Sequence, residues 1–279
     1  MAEVEVWRGG VAAWECDGMG HLNVGFYVAK SMEALAGLAA ELGMARAFSP
    51  KAQATLIVRE QHIRFLREAR PGTPLSIEGG VLEISETDAR LLFLMRHATG
   101  ELAASFQTVV SHATSADARP FPWPERMRAR AAALATTVPE RAAPRSIGLH
   151  PVETQASRER ADALGLIRTG LGVVDAAQCD AFGRMRTEEF MRRLSDAVPH
   201  VFARGRPGAA EAGQRRGGAV LEYRLMHHAW PLAGDRVELR SGTAGADARL
   251  RRLAHWMLDP VTGRPWATAE AIAVSFDLE

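Results

Sequence analysis

Cys16-Asp17-Gly18-Met19-Gly20 returns as Cys179-Asp180-Ala181-Phe182-Gly183, with the two aspartates 163 residues apart in a chain of 279. In both places a strand-like run precedes the turn and a helical pattern follows it. Gly100 and Gly263, each after a threonine, repeat at the same spacing, and Gly72-Thr73 and Gly234-Asp235 repeat one residue short of it. Landmarks that hold their spacing indicate an internal duplication. The chain is therefore expected to fold as two copies of one unit, a division that its length also suits.

Within the first copy, residues Val4 to Trp14 alternate loosely as a strand. Asn23 is placed to cap a helix from Val24 to about Leu42, and Gly43 to stop it. Met32, Leu35, Leu38 and Leu42 recur at helical spacing with alanines and Gly37 between them, which suits a central helix wrapped by a curved sheet. Four strands are expected at 53–67, 74–86, 89–98 and 101–112, separated by turn compositions at hairpin spacing. The pattern then dissolves into a segment holding six of the chain's 14 prolines, with a short helix from Glu125 to about Leu134. Its length suggests that it packs along both halves, with Trp123 as an anchor. The second copy gives a strand from Ile167 to about Val174, and a helix from Thr187 carrying Phe190, Leu194, Val198 and Val201. Strands follow at 218–228, 235–244, 248–259 and 265–277. The divisions expected are 1–113, a linker over 114–165, and 166–279.

The Asp17 turn joins a carboxylate to a helix N-terminus. Free N–H groups there carry partial positive charge and can polarise a carbonyl or hold an oxyanion, which points to acyl chemistry. One copy alone also reads as ordinary turn chemistry, since Asp, Gly and Asn are turn formers. His21 is as well suited to hold the turn as to move protons. Tyr27 either packs or touches an acyl group. The chain has no Gly-x-Ser-x-Gly elbow, which disfavours a serine hydrolase.

Asp17-x-x-Gly20-His21-Leu22-Asn23, followed by Tyr27, resembles the motif of hotdog-fold acyl-CoA thioesterases of the 4-hydroxybenzoyl-CoA thioesterase type. The resemblance implies an α+β fold of two tandem hotdog domains, a fused pseudo-dimer, with a curved antiparallel sheet around a central helix in each. It implies hydrolysis of an acyl-CoA to free acid and CoA. Asp17, His21, Asn23 and, in the second copy, Asp180 take the catalytic places. Gly20, Val24, Gly25, Tyr27, Arg67 and Glu68 take substrate-contacting ones. The second copy carries Arg184 for His21 and Arg186 for Asn23, so an ion pair to Asp180 is expected and Asp17 is favoured as the active acid. A hotdog hydratase or dehydratase, and a non-catalytic acyl-CoA binding module, are the alternatives; the hydratase usually spaces Asp and His by one residue more.

A net charge of +1 gives no electrostatic footprint for nucleic acid or an acidic membrane. Of the 34 basic side chains only Lys30 and Lys51 are lysine, a bias that suggests a GC-rich bacterial genome and lowers the weight of any single arginine. Arg59, Arg64, Arg67 and Arg70 are candidates for holding CoA. Cys16 and Cys179 fall at equivalent places, so reduced thiols are expected. No signal peptide or membrane span is visible, which implies a cytoplasmic protein. No metal or organic cofactor is implied beyond the CoA of the substrate, and further self-association into a homo-oligomer is expected.

Overall fold

The computed structural model describes residues 3–150, 155–203, 216–246 and 250–277. Residues 1–2 and 278–279 at the ends of the expected divisions, Pro151 of the linker and the 248–249 start of an expected strand lie outside the described residues. Strands β1 (Val4–Gly10), β2 (Ala54–Phe65), β3 (Pro74–Ile84), β4 (Asp88–His97) and β5 (Leu102–Thr114) belong to the first half. In the second half come β6 (Ile167–Val173), β7 (Arg216–His227), β8 (Arg236–Ala246), β9 (Leu250–Leu258) and β10 (Pro265–Asp277). They form one ten-stranded antiparallel sheet in the order β1-β3-β4-β5-β2-β7-β10-β9-β8-β6. Read from the middle outwards, the two halves of that order are the same.

The join is the β2–β7 pair, where His62 stands opposite Arg224. A local two-fold passes between them, because Glu60 and Glu222 are equivalent in sequence. Each of these carboxylates crosses to the other half: Glu222 Oε1 lies 2.8 Å from His62 Nε2, and Glu60 Oε2 lies 3.1 Å from Arg224. Both strands carry a bulge just before the seam, at Arg59 and at Leu221. A bulge re-aims the side chains that follow it.

Helices α1 (Val24–Glu41) and α4 (Thr187–Ala203) pack on one face of the sheet and against each other. Asn23 caps α1 as the sequence predicts, its Oδ1 accepting from Gly25 N at 2.9 Å. Leu42 closes the helix, and Gly43 follows at φ +94°. Leu35, Leu38, Ile63, Leu91, Phe93 and Met95 share a core that runs on through Phe190, Leu194, Tyr223 and Leu225. Gly37 sets how closely α1 sits on β1: a Cβ there would stand 2.3 Å from the Val6 carbonyl oxygen.

From Val138 the linker covers the opposite face, where Ala142 is buried with Leu92 and Leu94. Before it, Met127 and Ala131 join the core that α1 packs into, and Arg130 donates to Glu41 O. The linker helix α2 (Glu125–Ala133) lies where expected, and Trp123 is buried with its ring stacked 4.8 Å from His112. A second short helix, α3 (Arg158–Ala163), was not expected; six residues are too few for apolar periodicity to show. Between them the chain crosses the seam: Arg64 donates to the carbonyls of Arg141 and Ala143, Glu222 accepts from Arg145 and Ser146 N–H, and Arg224 donates to Gly148 and His150. Among the described residues no helix is long and apolar enough to cross a membrane.

Candidate active site

A 3-10 turn at Ala13–Glu15 takes the chain off β1, and a bridge between Cys16 and Leu22 closes a tight loop with Asp17 at its base. Asp17 N–H donates to His21 O at 2.8 Å, and Gly20 N–H to Asp17 O at 3.0 Å. Gly20 sits at φ +77° and its counterpart Gly183 at +82°, a backbone region open chiefly to glycine. Asp17 Oδ1 accepts from Met19 N–H at 2.8 Å and His21 N–H at 3.1 Å. Oδ2 has no partner among the described residues. The loop thus fixes one carboxylate oxygen and leaves the other for chemistry.

Leu22 N–H bonds to Ala69 O at 2.8 Å and Asn23 N–H to Glu15 O at 2.9 Å, which ties the start of α1 to the exit of β2. Glu15 also takes a buried ion pair from Lys30 at 2.7 Å. Lys30 is the one basic residue of α1 and lies on its buried side, the sequence signal for this brace; the second half matches it with Arg193 donating to Gln178 at 2.8 Å. Val24, the first helical residue, has no intrahelical acceptor for its N–H and no other partner among the described residues. It is the free donor beside Asp17.

Glu68 lies just beyond β2. His21 Nε2 stands 3.0 Å from Glu68 Oε2 and 3.2 Å from the Arg70 guanidinium. The histidine is thus held by the β2 exit rather than by Asp17. Tyr27 is buried, edge-on to Phe65 at 5.3 Å, and its hydroxyl accepts from Ala69 N–H at 3.2 Å. Burial outweighs that bond and pushes the phenol up to about 12. Tyr27 packs, and it anchors the segment that carries Glu68.

These groups meet at a cavity of about 870 Å³. Asp17, His21, Asn23, Val24, Tyr27, Arg67 and Glu68 all line it, as does Arg70. Gly20 and Gly25 do not; Gly25 instead lies under Arg192, whose Cγ would be 2.5 Å from a Cβ there. The far wall comes from the other half, with Ser195 and Val198 of α4 and Ala219, Leu221 and Tyr223 of β7. Sequence reading missed these, because nothing in one half's pattern says which residues of the other face it. His97 also lines the cavity, with a buried Nε2 that has no partner among the described residues. The row Leu91, Phe93, Met95, His97 on one face of β4 is the period-two signal that could have found it.

Asp180 lines a different cavity, of about 480 Å³, at the two-fold-related position. Its Oδ1 accepts from Phe182 and Arg184 N–H as Asp17 does, but Arg184 Nε also reaches its Oδ2 at 3.3 Å. The expected ion pair is thus present, made by Arg184 alone. Arg186 turns to Glu188 and Glu189. Glu188 takes the place of Gly25 at the helix start, where burial raises its carboxyl. Trp230 stands where the first half has Glu68. Both thiols are free and belong to separate turns.

Of the arginines proposed for CoA, Arg59 stacks on Trp230 at 5.0 Å, away from the Asp17 cavity, and Arg64 is spent on the linker. Arg67 is exposed at the cavity rim, paired with Glu101 at 2.7 Å.

A sequence profile described as the thioesterase-like superfamily matches residues 11–131 and 174–279. No curated protein sequence matches the chain. Among solved structures, a candidate oleoyl thioesterase of Lactobacillus plantarum superposes with a TM-score of 0.72 at 13% identity, over 97% of this chain and 95% of that one. The 12:0-ACP thioesterase of Umbellularia californica gives 0.70 at 11% identity, over 97% and 93%. An acyl-ACP thioesterase of Bacteroides thetaiotaomicron gives 0.69 at 11%, over 96% and 96%. At such identities the likeness is one of fold.

Proposed function

We infer, since this chain belongs to the thioesterase-like superfamily, that it is a thioester hydrolase whose working carboxylate is Asp17. The observation that carries the assignment of the acid is the difference between the two copies. Among the described residues, one carboxylate oxygen of Asp17 and the Val24 N–H at the helix start have no partner, whereas Arg184 occupies the equivalent oxygen of Asp180. On this reading the chain is two hotdog units, 1–113 and 166–279, joined by 114–165 as a fused pseudo-dimer with one working site.

A thioester carbonyl is electrophilic and its thiolate leaves readily, so the site needs one base or nucleophile and one oxyanion donor. Asp17 Oδ2 fills the first role, by attacking the carbonyl carbon or by taking a proton from the water that does. The Val24 N–H fills the second, with the dipole of α1 behind it. When the carbon–sulfur bond breaks, the proton held by Asp17 in the water route passes to the departing thiolate. In the direct route water then opens the acyl-Asp17 anhydride. Both end in free acid and thiol. His21, held by Glu68 and Arg70, keeps the loop and the cavity mouth in place. The substrate is an acyl-CoA, with CoA as part of the substrate and no separate cofactor. A hydratase would need the imidazole to face the reacting carbons as partner to Asp17, and here the Glu68 contact fixes it.

Thiol release from short, branched, aromatic and long-chain acyl-CoAs, followed with a thiol-reactive dye, tests the reading. Release by the wild type that is lost in Asp17→Asn supports it. A folded wild type that releases no thiol from any member rules it out. Single turnover in ¹⁸O-water that puts label into Asp17 establishes the anhydride route, with water adding at the Asp17 carboxyl carbon.

A further inference from the structure

A second depression, of about 970 Å³, meets the Asp17 cavity at Leu66 and Arg67, which line both. It opens on the linker face of the sheet. Ile63 and Phe65 of β2 face the helices, so the alternate residue Arg64 faces the other way. Five arginines line it: Arg64 and Arg67 from the end of β2, Arg96 from β4, and Arg141 and Arg145 from the linker. Against them stand Glu101, already paired with Arg67, and Glu140. Arg141 and Arg145 are exposed, and their guanidinium groups make no hydrogen bond or ion pair among the described residues. Leu102, Ala143 and Pro144 supply an apolar wall.

Arginines are abundant in this chain, yet most of the others near the seam are committed: Arg64 to linker carbonyls, Arg224 to Glu60, Arg252 to Glu270. An uncommitted pair lining a concave, partly apolar groove is a different arrangement. It fits a ligand with several phosphates and a flat ring, since guanidinium groups bind phosphate through paired N–H donors and stack on planar rings. Its continuity with the Asp17 cavity says which ligand. We propose, building on the thioesterase reading, that this groove holds the 3′-phosphoadenosine diphosphate end of coenzyme A, with Arg141 and Arg145 of the linker as its phosphate contacts. The pantetheine arm then passes over the rim at Leu66 and Arg67, and the acyl group reaches Asp17. The linker thereby becomes part of the binding site. A carrier protein presents its acidic surface on a helix, which fits a concave groove less well than a nucleotide does.

The test compares one acyl group on coenzyme A with the same group on N-acetylcysteamine, which keeps the thioester and lacks the nucleotide. The preference for the CoA ester, as a ratio of kcat/KM values, should fall about tenfold for each lost charge-assisted contact, so about a hundredfold in Arg141→Ala/Arg145→Ala. Adenosine 3′,5′-bisphosphate, titrated by calorimetry, should bind the wild type and weaken in parallel. Arg126→Ala, an exposed arginine of α2 that lines neither cavity, should keep both. An unchanged preference and unchanged bisphosphate binding in the double variant overturn the proposal. So does a loss confined to acyl-carrier-protein substrates, which would assign the groove to a protein carrier. If the wild type turns over neither thioester, the hydrolase reading fails, and the bisphosphate titration decides the groove by itself.

Discussion

Arg184 Nε lies 3.3 Å from Asp180 Oδ2, and the equivalent oxygen of Asp17 has no partner among the described residues. The two loops share every backbone bond that shapes them, so their difference in chemistry comes down to this side chain and its neighbours. Asp17→Asn is expected to lower turnover by about 10²- to 10⁴-fold, the range associated with removing an acid–base group. Asp180→Asn should leave turnover within about twofold, because its carboxylate serves the loop. Comparable losses in the two variants would mean two working sites.

Asn23 provides a second check, on the helix start rather than the acid. Its Oδ1 holds Gly25 N–H at 2.9 Å and squares the first turn of α1 against the cavity. Asn23→Ala should cost about 1 kcal/mol of stability, as N-cap losses do, and about tenfold in kcat as the Val24 donor loosens. Asn23→Ser, which can cap, should recover most of both. Thermal melts and steady-state kinetics on the same preparations separate this from general unfolding, because Ser restores the cap without restoring the amide.

Much of this was readable in the sequence, and the reasons differ by element. The repeat exposed the two halves because turn glycines and the Asp17 loop need fixed backbone shapes, and these survive when surface residues drift. α1 was readable from Asn23, the leucine spacing and Gly43, all local signals. The alternation predicts a first strand to Trp14, whereas β1 ends at Gly10, since Ala12 and Ala13 carry no information on where a strand ends and a 3-10 turn begins. The far wall of the cavity was not readable. Ser195 and Tyr223 share a cavity with Asp17 only through the β2–β7 pairing, a contact between distant segments that no local pattern encodes. The seam pairs were hidden for the same reason: Glu60 and Glu222 look like solvated charges until His62 and Arg224 stand across from them.

Tyr27 gives an alkaline signature. Its phenol is pushed up to about 12 by burial, against about 10 when unfolded. The folded chain therefore keeps the phenol proton where the unfolded chain releases it. The stability that Tyr27 contributes is complete below about pH 10 and is lost as pH rises from about 10 towards 12. Tyr27→Phe should cost about 1 kcal/mol at neutral pH, through the lost bond to Ala69 N–H. It should also flatten the alkaline limb of a urea-midpoint profile, and an alkaline limb identical to wild type would show that another group governs it.

The seam gives the acid counterpart. Burial by itself would raise the Glu222 carboxyl, but His62 and the N–H groups of Arg145 and Ser146 outweigh it and hold the group at about 2. Unfolded, it titrates near 4.3. The folded state thus binds the Glu222 proton less readily than the unfolded state does. Its contribution is present above about pH 4.3 and disappears as pH falls from there to about 2. With a side chain only 3% exposed, the shift is a stability contribution on the order of 2 kcal/mol. Glu222→Gln should lose that amount at pH 7, and the gap to wild type should close by about pH 2. His227, buried and held neutral at about 3, weakens the wild type and the variant alike below about pH 6.5, so the comparison must be the difference between them. Because the same carboxylate holds the Arg145 and Ser146 backbone, Glu222→Gln should also weaken adenosine 3′,5′-bisphosphate binding. Weakened binding without the acid-dependent closing of the stability gap would place the effect in the linker contacts rather than in the charge of Glu222.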